Sequence, residues 1–230
     1  MTTDRAGIPT LADLVDAIAR EEGEPRVSFV DPYEMVLREN AGYLVADERR
    51  DELYARLVAI APSPAKLLGA GHAELMAIAR DGGMRPETRV ERWRAIAEIT
   101  LEDADGDLAA ALRRLPLTRA KKLLARYPAI GAPGVDRILL FAGIAALPSA
   151  DSNGLRVLER FGTIAAGLPY ASGYRAACTA LAAAYGADAV RLRRAYLVLR
   201  RHGKELCRRT APACDVCPVR KPCAFGRANG

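Results

Sequence analysis

Cysteine spacing near the C-terminal end is the feature that most restricts how this chain can fold. The chain has five cysteines in 230 residues, and four of them follow a C-x6-C-x2-C-x5-C pattern: Cys207, Cys214, Cys217 and Cys223. The surrounding stretch is rich in Arg, Lys and Pro, which is atypical of buried core cysteines and indicates a metal centre. Structural zinc sites usually pair two short Cys-x2–4-Cys knuckles, whereas four single thiolates on one loop suit an iron–sulfur cubane better. The sequence therefore predicts a metal-bound loop over 207–223, with an iron–sulfur cluster favoured over zinc.

The rest of the chain reads as consecutive helices. Apolar residues recur at three- and four-residue intervals in the segment before Gly23, and Asp31 followed by Pro32 is a typical helix start. The pattern that begins at Asp31 extends to Leu44, and further helical patterns cover 47–60, 71–80, 86–101, 106–114, 117–126, 133–146, 151–161, 171–185 and 188–206. Aromatic residues make up 6% of the chain and no segment alternates with a period of two, so no strand is predicted. The predicted fold class is all-α, with about ten to twelve helices, and Cys178 is expected to be a small core residue on an apolar helix face.

Charge is unevenly distributed along the chain. Lys and Arg outnumber Asp and Glu by 34 to 28, for a net charge of +6, and the positive residues are concentrated in 191–227. A basic C-terminal region favours a polyanionic partner. No apolar run approaches the roughly 20 residues of a membrane span, and the first residues lack the pattern of a secretory signal. We therefore expect a cytoplasmic protein, in a compartment where clustered thiols bind metal rather than form disulfides.

A second motif is the segment 127–151, YPAIGAPGVDRILLFAGIAALPSAD. A tight turn around Gly131 followed by a helix would present backbone N–H groups at a helix N-terminus, which binds a phosphate without reading sequence. Asp151 directly precedes the next helical pattern. By itself, an Asp at such a position is most simply an N-cap.

The cysteine spacing, the hairpin segment and Asp151 together resemble the endonuclease III group of DNA glycosylases, within the helix-hairpin-helix superfamily. The resemblance extends over nearly the whole chain. It implies an all-helical fold of two domains with a DNA-binding cleft between them. The central domain, 26–145, would carry the helix-hairpin-helix motif, and a terminal domain, 1–25 with 146–230, would carry a structural [4Fe–4S] cluster held by the four clustered cysteines.

The resemblance also assigns roles around the hairpin. At the position of Ala129 the family has a glycine, and alanine tolerates positive φ poorly. Ile130, Gly131 and Ala132 would bind a DNA phosphate, and Asp151 would stabilise the oxocarbenium-like sugar as the base leaves, or help to activate water. Members that also cleave the DNA strand use a lysine eighteen positions before the Asp, where this chain has Pro133. We therefore expect a monofunctional glycosylase. The alternatives are a glycosylase/lyase that uses another amine and an inactive DNA-binding protein.

The segment 31–47, DPYEMVLRENAGYLVAD, resembles the adenine- and thymine-mismatch branches of the same superfamily. Adenine-mismatch enzymes use the Glu six residues after the Tyr as a general acid toward the departing base, and here that residue is Glu39. A buried Glu with a raised pKa suits the task; the alternative is an ordinary surface charge. Tyr43 and Leu44 occupy positions that wedge into the duplex in the relatives. They would fill the gap left by a flipped base, or they are core residues that close the helix.

The partner implied by the resemblance is double-stranded DNA containing a damaged or mismatched base. Arg208, Arg209, Arg220 and Lys221 make the cysteine loop positive and are expected to face the phosphates. The base would be flipped out of the duplex and removed by hydrolysis. We expect a monomer without a membrane segment, associated with the nucleoid.

Overall fold

The computed structural model describes residues 10–229, and those residues form α-helices joined by short loops. The helices, in chain order, are α1 (Leu11–Glu22), α2 (Pro32–Glu39), α3 (Asp47–Ile60), α4 (Pro64–Gly69), α5 (His72–Ala79), α6 (Pro86–Ala104), α7 (Leu108–Arg114), α8 (Leu117–Leu124), α9 (Ala132–Phe141), α10 (Ser152–Phe161), α11 (Tyr170–Tyr185), α12 (Ala189–Glu205) and α13 (Ala224–Ala228). Short 3-10 turns lie at Arg80–Gly82 and Cys214–Val216. No strand occurs within 10–229, so the predicted all-α class is confirmed.

Helix starts and stops follow the local sequence signals. Asp31 precedes α2, and its carboxylate accepts the Glu34 N–H at 3.0 Å, as predicted for an N-cap. Thr10 and Asp13 form a reciprocal capping box at the start of α1. Gly23 follows α1 with a φ of +81°, a conformation that glycine adopts without strain. Hydrogen bonds and backbone angles of residues close in sequence therefore set these helix ends.

The described residues group into two compact units. The central unit is Phe29–Ile138, and the terminal unit combines residues 10–28 with 139–229. The boundary after residue 138 falls inside α9. The domain ranges predicted from the sequence, and the DNA-binding cleft expected between the domains, stay predictions.

The central unit is built around Trp93 on α6. Its ring is fully buried, and its indole N–H donates to the Asn40 carbonyl at 3.2 Å. Asn40 is itself buried, and its side-chain amide donates to the Val36 carbonyl at 3.0 Å and to the Pro128 carbonyl at 2.9 Å. The end of α2, which carries Glu39, is thereby attached both to the core and to the hairpin.

The terminal unit is packed around α10 and α12. Leu158 and Leu199 are fully buried in it. At Gly203 the two helices approach so closely that an added Cβ would lie 2.6 Å from the Asn153 carbonyl oxygen. This close approach places the first turn of α10, and Asp151 before it, against α12.

Two helices end earlier than their patterns predicted. α2 stops before Asn40 rather than near Leu44, because the Asn40 side chain turns back to α2 and to the hairpin. α9 ends at Phe141 rather than at 146, because Gly143 adopts a φ of +68° and redirects the chain. The residues after each stop are consequently free to form loops that carry candidate site residues.

Within 10–229, every helix is too short or too polar to cross a bilayer. The first nine residues, on which the prediction about a secretory signal rests, lie outside the described part of the chain.

Candidate active site

The hairpin between α8 and α9 has a defined shape. Tyr127 is buried, and its hydroxyl lies 3.0 Å from the Thr100 hydroxyl. Burial raises the pKa of Tyr127 to about 12, so the hydroxyl stays neutral. Ala129 has a φ of +60°, which agrees with the sequence prediction that a glycine would suit this position. An L-residue in that region is strained by roughly 1–2 kcal/mol, which the buried contacts of Tyr127 help to offset.

The groups that the hairpin presents differ from the prediction at one residue. Gly131 and Ala132 are exposed at the first turn of α9, where backbone N–H groups lack acceptors within the helix. Ile130 is 5% exposed, and its N–H donates to the Tyr127 carbonyl at 3.2 Å. This corrects the expectation for Ile130, since its side chain and its N–H are both used inside the unit.

Glu39, at the end of α2, is held in an ion pair. Nη2 of Arg137 on α9 lies 2.9 Å from a Glu39 carboxylate oxygen, and both side chains are half-buried. Burial by itself raises the pKa of Glu39. Arg137, with smaller contributions from Arg50 and Arg38, outweighs that effect and leaves the pKa below its ordinary value. The expectation of a raised pKa is therefore wrong, and Glu39 is a carboxylate at neutral pH.

Replacing Arg137 with methionine tests this electrostatic assignment. The substitution removes the cation while the burial remains, so the pKa of Glu39 is expected to rise. Because the wild-type pKa is lowered, the ion pair stabilises the fold above the ordinary pKa of a Glu, and this stabilisation is lost as the pH falls through the lowered value. Arg137→Met should therefore have a lower thermal midpoint than the wild type near neutral pH. In mild acid this difference between the two proteins should be smaller.

Lys121→Met is the control for that experiment. Lys121 Nζ on α8 lies 2.8 Å from a carboxylate oxygen of Asp136 on α9. This variant therefore removes the ion pair of the residue next to Arg137 and leaves the partner of Glu39 in place. NMR titration of the Glu39 carboxyl carbon should give the same pKa in Lys121→Met as in the wild type. A wild-type Glu39 pKa above the ordinary value would contradict the assignment.

Asp151 directly precedes α10 and uses its two oxygens differently. Oδ1 accepts the N–H groups of Asn153 at 3.0 Å and Gly154 at 2.8 Å, which is the N-cap geometry anticipated from the sequence. Oδ2 lies 3.3 Å from Nε of Arg200 on α12 and accepts the side-chain amide of Asn153 at 3.2 Å. One oxygen therefore holds the helix, while the other belongs to a charged and partly exposed surface.

Side chains connect Asp151 to the start of the cysteine loop. Arg156, on the next turn of α10, donates to the Asn153 side-chain oxygen at 2.8 Å and to the Cys207 carbonyl at 2.8 Å. It also donates to the Gly203 carbonyl at 2.6 Å. Since Asn153 in turn donates to Asp151, a continuous set of hydrogen bonds runs from the carboxylate to Cys207.

The four cysteines of 207–223 line a single, largely apolar cavity in the terminal unit. Arg160 and the buried His202 also line it. Arg160 Nη1 lies 3.5 Å from the Cys207 sulfur, and His202 Nε2 lies 3.7 Å from the Cys217 sulfur. Burial raises the pKa of Cys217 to about 11. Within 10–229 no three His, Cys, Asp or Glu side chains are arranged to hold one metal ion. The four thiols are related by the cavity that they line together.

The cations of the cysteine loop are not equivalent. Arg208, Arg209 and Lys221 are exposed, as contact with a phosphate requires. Arg220 is half-buried, and its Nη1 lies 3.3 Å from an Asp215 carboxylate oxygen. Part of its charge is therefore already balanced inside the loop, and the positive surface consists mainly of the three exposed cations.

Two neighbouring loops of the central unit expose large apolar side chains. Tyr43 and Leu44 are 56% and 80% exposed, so the alternative that they are core residues is wrong. Met84, on the loop before α6, is 61% exposed. The Tyr43 N–H donates to the Gly82 carbonyl at 3.0 Å and joins the two loops. We call these three exposed residues on the joined loops, Tyr43, Leu44 and Met84, the apolar tip; exposed apolar side chains on adjoining loops suit an interaction site.

Arg137, Arg200 and Met84 are among the residues of these sites that sequence reasoning missed. For Arg137 and Arg200 the sequence offered no local signal, because their carboxylate partners are distant in sequence. Met84 lies in the segment DGGMRP, which predicts a turn. Its two glycines are the available signal, because they allow close backbone approach: an added Cβ on Gly83 would lie 2.7 Å from the Tyr43 carbonyl oxygen.

Comparison with known proteins shows which solved structures share this fold. Neither family models nor curated protein sequences match this chain. Among solved structures, a trapped endonuclease III–DNA covalent intermediate is similar with a TM-score of 0.75, covering 96% of this chain and 99% of that chain at 15% identity. A non-covalent endonuclease III–DNA complex gives 0.76 over 96% and 98% at 15% identity. A thermostable thymine-DNA glycosylase gives 0.75 over 95% and 97% at 18% identity. The chain therefore has the fold of these proteins, as its sequence resemblance implied.

Proposed function

We propose that the protein is a DNA glycosylase that flips a damaged or mismatched base out of double-stranded DNA and hydrolyses its N-glycosidic bond. The observation that carries the proposal is Asp151, a partly exposed carboxylate at a helix start, in a chain that shares its fold with endonuclease III bound to DNA. The likeness extends to a thymine-DNA glycosylase. The protein would act as a monomer in the cytoplasm, at the nucleoid.

The exposed groups suit a DNA duplex. The N–H groups of Gly131 and Ala132 would bind one backbone phosphate, and Arg208, Arg209 and Lys221 would face others. The apolar tip would enter the base stack where the flipped base had been. These contacts position the duplex without reading its sequence.

Asp151 would act on the sugar. As the N-glycosidic bond breaks, positive charge develops at C1′ and on the ring oxygen, and a carboxylate oxygen beside them stabilises that charge or directs a water molecule to C1′. Oδ2 is the oxygen suited to this role, because Oδ1 is committed to the helix N-cap. Asn153 and Arg200, which both contact Oδ2, would orient the carboxylate. Water then supplies hydroxide to C1′ and a proton to the released base.

Glu39 would orient the base rather than protonate it. As an ion-paired carboxylate, it can accept a hydrogen bond from a base N–H but holds no proton to donate near neutral pH. This replaces the general-acid role that the sequence resemblance implied. The proton for the departing base would then come from solvent.

The four cysteines would hold a [4Fe–4S] cluster. Their sulfurs line one largely apolar cavity, and the guanidinium of Arg160 beside Cys207 suits a group of ligating thiolates, which are anionic. When bound, the cluster supplies a covalent anchor for the loop, and hydrolysis requires no change in its redox state. The loop would in turn hold Arg208, Arg209 and Lys221 in place for the DNA.

A substrate screen tests the proposed function. Duplexes carrying uracil, thymine opposite guanine, adenine opposite 8-oxoguanine or an alkylated base are incubated with excess protein, and the released base is measured. Release of at least one base, lost in Asp151→Asn, is the expected result. Tight duplex binding without release of any base would instead favour a non-catalytic DNA-binding protein.

We predict that the protein lacks lyase activity. Pro133 has no nucleophile, and the nearby Lys121 is engaged with Asp136 at 2.8 Å. Sodium borohydride is therefore expected to trap no covalent adduct between the protein and a duplex with an abasic site, under conditions in which a lyase-active glycosylase is trapped. Formation of an adduct would show that another amine makes a Schiff base with the sugar, and the monofunctional assignment would fail.

A further inference from the structure

Arg89, on α6, is a buried cation whose hydrogen bonds go to a single loop. It is 5% exposed, and its guanidinium donates to the carbonyls of Ala79 at 2.7 Å, Gly82 at 2.6 Å and Met84 at 3.1 Å. These acceptors are neutral carbonyl oxygens rather than carboxylates, and burial lowers the pKa of Arg89 below its ordinary value. An uncompensated buried charge is strongly destabilising, so Arg89 and the loop 79–84 depend on each other.

The loop that Arg89 binds is in direct backbone contact with the loop after α2. The Gly82 carbonyl accepts both the Arg89 guanidinium and, at 3.0 Å, the Tyr43 N–H. An added Cβ on Gly82 would lie 2.7 Å from the Ala41 carbonyl oxygen, and one on Gly83 would lie 2.7 Å from the Tyr43 carbonyl oxygen. With so little space between the backbones, a shift of either loop displaces the other.

Both loops also contain backbone conformations that need support from their surroundings. Leu44 has a φ of +56° and Arg85 a φ of +60°. An L-residue keeps this conformation where neighbouring contacts over-determine it. Leu44 belongs to the apolar tip and Arg85 follows Met84, so the strained positions lie in or next to the exposed side chains.

We propose that Arg89 is a positioning residue for base flipping: by holding the two loops together, it presents the apolar tip in the arrangement that enters the duplex. This inference rests on the proposed function. A pre-ordered loop loses less conformational freedom on binding than a mobile one. The effect of Arg89 is therefore expected in the insertion of the tip and not in the general attraction to phosphates.

Arg89→Lys tests the proposal, with Arg92→Lys on the exposed face of the same helix as the matched control. Lysine keeps the charge but replaces a planar fork, which reaches three carbonyls at once, with a single ammonium. The probe is a duplex with an abasic-site analogue next to 2-aminopurine, whose fluorescence rises when the base is unstacked. At saturating protein, Arg89→Lys is expected to lower that fluorescence and to raise Kd about tenfold. Arg92→Lys should change Kd by less than about twofold.

Removing part of the tip distinguishes positioning from general damage to the fold. In a Leu44→Ala background the most exposed member of the tip is already absent, so Arg89→Lys should raise Kd by less than about threefold. An equal tenfold loss in both backgrounds would show that Arg89 acts through the whole fold and would overturn the proposal. No loss in either background would overturn it as well.

Gly83→Ala provides a second route to the same displacement. The added Cβ meets the Tyr43 carbonyl and shifts the tip while Arg89 is intact, so it should reproduce the loss of fluorescence and affinity. If Arg89→Lys does not fold, Gly83→Ala replaces it in both the wild-type and the Leu44→Ala backgrounds. A large rise in Kd in the wild-type background and a small one in Leu44→Ala would again support positioning of the tip. Wild-type protein that leaves the 2-aminopurine stacked would instead contradict the proposed function itself.

Discussion

Asp151→Asn is expected to slow single-turnover base excision by at least about a hundredfold while the fold stays intact. Asparagine lacks the negative charge that stabilises the developing sugar cation, yet it is as good an N-cap as aspartate. The Asn153 and Gly154 N–H groups, which bond to Oδ1 at 3.0 and 2.8 Å in the wild type, therefore keep an acceptor. The measurement is the rate of base release from the substrate found in the screen, with protein in excess over DNA.

Asp188→Asn is the matched control for this variant. Asp188 is exposed and caps α12 in the same way, with its carboxylate oxygen 3.0 Å from the Val190 and Arg191 N–H groups. It should resemble Asp151→Asn in thermal stability and the wild type in excision rate. Asp151→Ala also loses the cap and is expected to be less stable by about 1 kcal/mol. Excision by Asp151→Asn at nearly the wild-type rate would contradict a catalytic role for the carboxylate.

Cys217→Ser is expected to prevent assembly of the iron–sulfur cluster. Wild-type protein purified without oxygen should contain about four iron and four sulfide per chain, and the variant should contain substantially less of both. Within 207–223, Val219 is the single buried apolar residue, so the order of the loop depends largely on the group that its cysteines bind. Iron and acid-labile sulfide analysis with the visible absorption spectrum provides the measurement.

Loss of the cluster should also weaken the dependence of DNA binding on salt. Each phosphate contact contributes about 0.9 to the slope of log K against log salt concentration. Arg208, Arg209 and Lys221 are the exposed cations of the loop. If the loop no longer presents them, the slope for Cys217→Ser should be smaller by up to about 3.

Cys178→Ser is the control for both measurements. Cys178 is half-buried on α11, and its thiol donates to the Pro148 carbonyl at 3.3 Å, a bond that a hydroxyl group can replace. Its iron content and salt slope should equal those of the wild type. Unchanged iron in Cys217→Ser would contradict the ligand assignment, and zinc without sulfide in the wild type would contradict the cluster.

Short-range interactions explain why much of the fold could be predicted from the sequence. Helix ends such as the Asp31 cap and the Gly23 stop depend on hydrogen bonds and backbone angles within a few residues. The N-cap geometry of Asp151 and the positive φ at Ala129 are local in the same sense. The cysteine spacing and the hairpin pattern pointed to the fold that the structural comparison then found.

The sequence by itself determined the all-helical class, the candidate carboxylates and the clustered thiols. The tertiary structure alone decided the charge state of Glu39, because its partner Arg137 is 98 residues away along the chain, and likewise the pairing of Asp151 with Arg200 on another helix. It also decided that Leu44 is exposed, since helix α2 stops where the Asn40 side chain bonds to the hairpin. Helix caps and periodicity depend on neighbours in sequence, whereas ionisation and exposure depend on which distant groups the fold brings together.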